Sequence, residues 1–299
     1  MARIVVVGDA GLDVVARHDG PLVHGGDTRS AVRMVVGGAG ANTAAWLAHV
    51  GAEAVLIGRV GDDIAGHRVR AELGAAGVTC ALTVDESAST CCVVVLVDEH
   101  GQRTMLPDRG AIANLCPADI SPEALLGADH LHLSGYVLLD ESSRAAGVAA
   151  LAAARAAGLT TSVDPQAATL IARLGTAEFL ELVAGADLLL PNTDELAVLT
   201  GSTDPESARA LLDVVGAVVA TSGDGGAHWV APGGTVNADA PVVDCVDSTG
   251  AGDAFNAGLL ATWRATGDIP EALAAGVAAG AGAVQLVGAQ PPGLVSAKP

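Results

Sequence analysis

Lysine is almost missing from this chain: of 299 residues only Lys298, next to the end, is one. Two large enzyme classes fall away with it. A Walker P-loop needs Gly-Lys-Ser/Thr, and Schiff-base catalysis needs a lysine in a pocket. Aromatic residues are scarce, at 2%, so Ala, Gly and Val must fill the interior, which calls for closely approaching helices and strands. Positive charge is scarce as well. Fifteen Lys and Arg stand against 34 Asp and Glu, a net charge of −19, and such a polyanion is repelled by nucleic acid and by anionic membranes. No apolar run reaches membrane-spanning length without a Gly, Pro or charge inside it. The N-terminal Arg3-Ile4-Val5-Val6-Val7-Gly8 reads as a first buried strand rather than a cleavable signal. The cysteines (Cys80, Cys91, Cys92, Cys116 and Cys245) are odd in number and lack C-x-x-C spacing. They point to reduced thiols in the cytoplasm, away from a disulfide framework or a zinc site.

What is present is an apolar chain, 51% hydrophobic, long enough to bury a large core. Short apolar runs (Ile4–Gly8, Ala54–Gly58, His130–Leu133, Thr160–Asp164, Leu188–Leu190, Val218–Thr221) alternate with Ala-rich helical stretches. The helical stretches are Ala41–His49, Gly66–Leu73, Ser143–Ala156, Asp194–Thr200, Ser207–Leu212, Ala254–Ala265 and Pro270–Leu286. That rhythm predicts a mainly parallel sheet covered by helices, and Gly77, Gly158 and Gly201 mark helix ends. Two stretches, Leu12–Val36 and Cys91–Leu106, break it with β-rich pieces and no helix between them; Asp98–Gln102 reads as a hairpin turn. They predict a small excursion sheet. The tail Gln290–Pro299 reads as surface coil.

Three motifs carry chemistry. Asp247-Ser248-Thr249-Gly250-Ala251-Gly252-Asp253 precedes a helical run. Small residues there let backbone approach a phosphate, the free N–H groups and dipole of the first helical turn attract negative charge, and Asp253 is placed to take a proton from an attacking hydroxyl. The alternative is a Gly-rich turn with Asp253 as a helix cap. Gly37-Gly38-Ala39-Gly40-Ala41-Asn42 also enters a helix and offers an amide suited to sugar hydroxyls, or merely a cap. Asn192-Thr193-Asp194-Glu195 follows an apolar run; its amide and carboxylate suit Mg²⁺ held through water, or simply cap the next helix.

In this combination and order the motifs resemble the two signature regions of the PfkB, ribokinase-like sugar kinases, with that family's N-x-x-E motif between them. The similarity runs from Val5-Val6-Val7-Gly8 to Gly288-Ala289-Gln290. It implies one α/β domain over residues 1–299, a three-layer sandwich with a mainly parallel central sheet, whose β-rich excursions (about 12–36 and 91–109) form a lid and often a dimer interface. It implies ATP and Mg²⁺ as cofactors, with K⁺ in some relatives, and transfer of the γ-phosphoryl group to a hydroxyl, in the first instance a primary alcohol, of a sugar or sugar acid. By the same resemblance Asp253 is the base and the Gly250, Ala251, Gly252, Asp253 backbone the anion hole. Asp13, Gly38 and Asn42 meet sugar hydroxyls, and Asn192 with Glu195 serves phosphate and metal. Thr221, Gly223 and Gly226 lie by the nucleotide, and Asp247, Thr249 and Gly288 fall at the monovalent-cation site.

The departures bear on substrate. Gly11 and Ala39 stand where close ribokinases have Asn and Lys, and His130–Tyr136 lacks the acidic residue that ribokinases place there, so strict ribose specificity is not implied. Few aromatics count against nucleosides, which bind by stacking. Arg29, Arg33, Arg103 and Arg109 fall in the lid stretches; guanidinium recognises acidic or phosphorylated sugars in bidentate fashion, and Arg109 is the foremost candidate, the alternative being solvated ion pairs. A Rossmann dehydrogenase is set aside because Gly8-Asp9-Ala10-Gly11 is G-x-x-G. A silent sugar or nucleotide sensor and a nucleoside kinase remain as rivals.

Overall fold

The computed structural model describes residues 1–100 and 102–292; Lys298, most of the tail and Gly101 of the Asp98–Gln102 turn lie outside them. Along the chain β1 (Arg3–Val7) is followed by β2 (Gly11–His18), β3 (Ser30–Gly37), α1 (Ala39–His49), β4 (Glu53–Gly61), α2 (Ile64–Ala75) and β5 (Thr79–Asp85). Next come β6 (Cys91–Val97), β7 (Arg103–Asp108), α3 (Pro122–Leu125), β8 (His130–Ser134), α4 (Tyr136–Leu139), α5 (Arg144–Ala156) and β9 (Thr160–Asp164). The rest is α6 (Ala168–Leu174), α7 (Thr176–Val183), β10 (Leu188–Leu189), α8 (Thr193–Thr200), β11 (Ala217–Thr221), β12 (Ala227–Ala231), β13 (Gly234–Ala238), α9 (Ala251–Thr266) and α10 (Ile269–Ala283).

Nine strands form one sheet in the order β13-β12-β11-β10-β9-β8-β1-β4-β5, parallel except at β12 and β13. The unbroken β-branched run of β1 suits its central place, since a parallel strand there is covered on both faces. Ile4 and Val6 point into one core with Trp46, Leu47, Phe255 and Leu259. Val5 and Val7 point into the other with Leu131, Leu133, Leu151 and Phe179. The result is the expected helix–sheet–helix sandwich.

The second sheet, β3-β2-β6-β7, is mixed: β2 and β6 run parallel, the outer pairs antiparallel. Its direction follows from its origin. β2 leaves the carboxyl end of β1 and β6 that of β5, so both depart the large sheet the same way.

Several elements depart from the sequence expectation. β5, the β12–β13 hairpin, α6 and α7 were not expected; β5 reads Thr79-Cys80-Ala81-Leu82-Thr83-Val84-Asp85, too mixed to stand out, and α6 and α7 are short and parted by Gly175 at φ 104°. The helix expected over Ser207–Leu212 is a 3₁₀ segment, Pro205–Leu211. The surface-coil expectation fails at the start of the tail: Gln290 is buried, because it packs with the preceding Ala289 beneath α1 and the 247–250 turn.

Candidate active site

The strand order runs outward from β1 in both directions, and ligands of such sheets bind at the carboxyl ends of the strands where the order switches. Asp9 follows β1, Asp164 ends β9, Asn192 follows β10 and Thr221 ends β11, so the topology alone brings them to one edge.

α9 starts over this edge. Gly250 precedes it at φ 75°, and a Cβ there would lie 2.7 Å from Ala289 Cα, so only glycine fits. The helix has no side-chain cap, and no hydrogen bond among the described residues uses the N–H groups of Gly252 or Asp253. The first turn therefore keeps free donors and its positive dipole end. Asp253 itself caps nothing in α9. Its Oδ2 accepts from Asn42 Nδ2 at 2.9 Å and its Oδ1 from Thr43 Oγ1 at 3.3 Å. Those donors stand on the first turn of α1, which is brought in because Gly40 lies against β1's end: a Cβ on Gly40 would be 2.7 Å from Gly8 Cα. Gly38 opens α1, and the Asp9 main-chain oxygen accepts from Ala41 N at 3.0 Å. Burial, then the nearby Asp164 and Asp9, push the Asp253 carboxyl well above its ordinary value, against the two hydrogen bonds.

A second acidic group adjoins it. Asp164 accepts from Asn256 Nδ2 at 2.7 Å, one turn beyond Asp253 on α9, and from Gln166 N at 2.9 Å. Gln166 has φ 71°, a strained value for a residue with a side chain, and the turn it makes aims that N–H at the carboxylate. Burial raises Asp164 to about 6. Glu195 forms a capping box with Asn192, accepting from Asn192 N at 2.9 Å and Nδ2 at 2.7 Å, so the capping geometry is present. Yet the glutamate is buried, and burial with Asp164 nearby pushes it up to about 8. The Tyr136 hydroxyl, pushed up to about 12 chiefly by burial, stands near Asp9, Asp164, Asp253 and Glu195. Buried carboxylates facing one another suit a hard dication. No trio of His, Cys, Asp or Glu among the described residues is close enough to ligate one directly.

The remaining candidates form three groups. Asp13, on β2, lies against Gly37 and is raised to about 6 by burial and Asp9. Asp247 accepts from Thr249 N and Oγ1 and, at 3.0 Å, from Gly288 N, so these three are together; Arg103 of β7 reaches across to Asp247, Ser248 and Thr249. Thr221 bridges to Asn192, Gly223 is exposed on the following turn, and Gly226 is buried beneath β13. Arg109 follows β7. Its Nε lies 3.3 Å from Asp140, but neither Nε nor Nη2, both buried, makes a hydrogen bond.

A sequence model of the pfkB family of carbohydrate kinases matches residues 1–296. The chain belongs to this family. The kinase is 36% identical over 285 residues to an ATP-dependent ribose-1-phosphate kinase of Halopiger xanaduensis, covering 94% of this chain and 91% of the relative. It is 35% identical over 282 residues to a fructokinase of Klebsiella pneumoniae, covering 91% and 88%. Among solved structures, a ribokinase of Arabidopsis thaliana complexed with ribose and ATP superposes with a TM-score of 0.81 at 25% identity, over 97% of this chain and 95% of that one.

Sequence reading of the kinase missed Asp9, Thr43, Asp164, Asn256 and Gln290. Asp9 and Asp164 had a signal: each ends a buried parallel strand, where ligands bind. His130 and His132 pack rather than ligate, bonding Thr160 and Ser162 hydroxyls inside the sheet. Together with the acids they set a pH dependence. At neutral pH Glu195, pushed up to about 8, keeps a proton that the unfolded chain has released, so stability falls as pH rises toward that value, and the raised Asp253 carboxyl acts in the same direction. Buried His130 and His132, held below the ordinary 6.5, oppose this only while the unfolded chain still protonates them. From about pH 6.5 to about pH 8 Glu195 dominates, and a thermal melt of the nucleotide-free kinase is expected to lose on the order of 1–2 kcal/mol. A flat or rising melting temperature there contradicts it.

Proposed function

We propose that this kinase transfers the γ-phosphoryl group of Mg-ATP to a hydroxyl of a small sugar that already carries a negative charge, a pentose phosphate before a sugar acid. The observation that carries the substrate class is Arg109: of its buried guanidinium nitrogens, Nε has only the Asp140 carboxylate at 3.3 Å and Nη2 has no hydrogen-bond acceptor among the described residues. An unpaired buried donor is costly, and a phosphate or carboxylate on the substrate supplies the missing acceptors. The relative from Halopiger, named for ribose 1-phosphate, agrees with that chemistry.

In this reading Asp253 takes the proton of the attacking hydroxyl. The free N–H groups at the start of α9, with the Gly250, Ala251 and Gly252 backbone, stabilise the moving phosphoryl group. Asp13, Gly38 and Asn42 orient the sugar; Asn192, Thr221, Gly223 and Gly226 border the nucleotide. Mg²⁺, held through water by Glu195 beside Asp164, supplies charge neutralisation on the phosphates. The lid, about 12–36 and 91–109, closes over the cleft as part of one 1–299 kinase unit and excludes water, while Arg103 brings positive charge to the 247–249 turn. A K⁺ ion at Asp247, Thr249 and Gly288 competes with that guanidinium for Asp247. Exposed Val32, Met34 and Leu106, on one face of the outer lid strands, offer a second copy an apolar surface, and the free cysteines suit the cytoplasm.

The test is a coupled ADP-release assay with Mg-ATP against ribose 1-phosphate, ribose, fructose, sugar acids, adenosine, inosine and pseudouridine, in K⁺ and in Na⁺ buffers. The anionic sugars are expected to exceed the neutral ones by about 100-fold in kcat/KM, the worth of one or two charge-assisted hydrogen bonds. Preference for fructose or ribose overturns the substrate class, and preference for a nucleoside moves the protein to the nucleoside kinases. ATP binding without turnover on any acceptor indicates a sensor.

A further inference from the structure

Gln290 is a buried polar residue for which the reaction as described so far has no use. It is 5% exposed, and its Nε2 donates to Asn42 Oδ1 at 2.6 Å; its Oε1 is buried and bonds no described residue. Among the described residues this buried amide bonds Asn42 alone, and Asn42 in turn donates from Nδ2 to Asp253 Oδ2 at 2.9 Å.

The chain of three has a direction. A carboxamide offers an acceptor at one end and donors at the other. With a donor from Gln290 on its oxygen, the Asn42 amide must turn its NH₂ group to Asp253; reversed, it would set a carbonyl oxygen against the carboxylate. The residues around Gln290 hold it to this task. Gly288 N donates to Asp247 Oδ2 at 3.0 Å, Ala289 fills the space beneath Gly250, and the Ala289 oxygen accepts from Trp46 Nε1 at 2.9 Å. One short segment thus ties α1, which bears Asn42, to the turn that opens α9, which bears Asp253.

We propose that Gln290 is a positioning residue for phosphoryl transfer, orienting the Asn42 amide so that it donates to Asp253 and holds that carboxylate as a proton acceptor. This rests on the reading of Asp253 as the base. The groups facing Asp253 are Asp9 after β1, Asp164 at the end of β9, Tyr136 on α4 and Thr43 and Asn42 on α1. The acids oppose its ionised form and the α1 donors favour it, so losing the ordered Asn42 donor should make Asp253 harder to ionise.

The experiment compares Gln290→Met, which removes the donor at similar size, and Gln290→Glu, which replaces it by an acceptor, with the parent and Asp253→Asn. Readouts are kcat and KM from about pH 5 to about pH 9, the melting temperature, and the Asp253 carboxyl titration followed by isotope-edited infrared in unliganded protein. The expected result for Gln290→Met is a kcat lowered about 10- to 100-fold with KM for ATP within about threefold, and an acid limb moved up by about one pH unit, the worth of one hydrogen bond to the carboxylate. Gln290→Glu should move it further. A kcat–pH profile and an infrared titration that superimpose on the parent's in whichever variant folds, whatever the melting temperature does, overturn the proposal. An active Asp253→Asn sinks the base reading instead, and the infrared shift then judges Gln290 without turnover.

Discussion

Asp253→Asn is expected to lower kcat by about 10³- to 10⁴-fold, the upper range for loss of a general base, while ATP affinity stays within a few-fold. The substitution keeps shape and one acceptor for Asn42, so the start of α9 and its free N–H groups are retained. It also removes a carboxyl that burial, Asp164 and Asp9 make costly to ionise. The melting temperature near pH 8 should therefore rise while activity disappears, a pairing that misfolding does not produce. Turnover within tenfold of the parent in the coupled assay would falsify the assignment of the base.

The second large effect concerns Arg109. Arg109→Ala should reduce kcat/KM for a phosphorylated or acidic sugar by about 100- to 1,000-fold, since a forked guanidinium contact to an anion is worth several charge-assisted hydrogen bonds. Whatever slow turnover of neutral sugars the parent shows should be nearly unchanged. Arg109→Lys should recover only part of the loss, because an ammonium restores the charge without the fork. Equal losses on charged and neutral sugars would mean that Arg109 serves the fold, through Asp140, and not the substrate.

Much of the molecule was legible beforehand because it is encoded locally. The run Arg3–Val7 is a central strand on composition alone, Thr160–Asp164 stands where its β-branched residues put it, and the strands of the small sheet fall within a residue or two of the expected stretches Leu12–Val36 and Cys91–Leu106. The Gly250–Asp253 motif announced a helix start with an open first turn, and α9 begins there without a side-chain cap. Elements whose pattern is weak over a short span, such as β5 and the β12–β13 hairpin, gave no comparable signal.

What escaped is what depends on long-range contact. Nothing near Gln290 in the sequence indicates Asn42, 248 positions away, and nothing near Asn256 indicates Asp164, 92 away. Arg103 looked like one of four lid arginines until the lid strand brought it onto the 247–249 turn. By itself, then, the sequence determined the alternation of strands and helices with its small-sheet excursion, the two glycine-rich helix starts and the residue types able to move a phosphoryl group, because periodicity, turn chemistry and helix capping act over a few residues. The tertiary structure alone decided which carboxylates share one buried edge, which ends of Asn42 and Arg109 are engaged or free, and how far Asp253 and Glu195 resist ionisation, because burial and Coulomb interaction depend on neighbours in space that lie far apart along the chain.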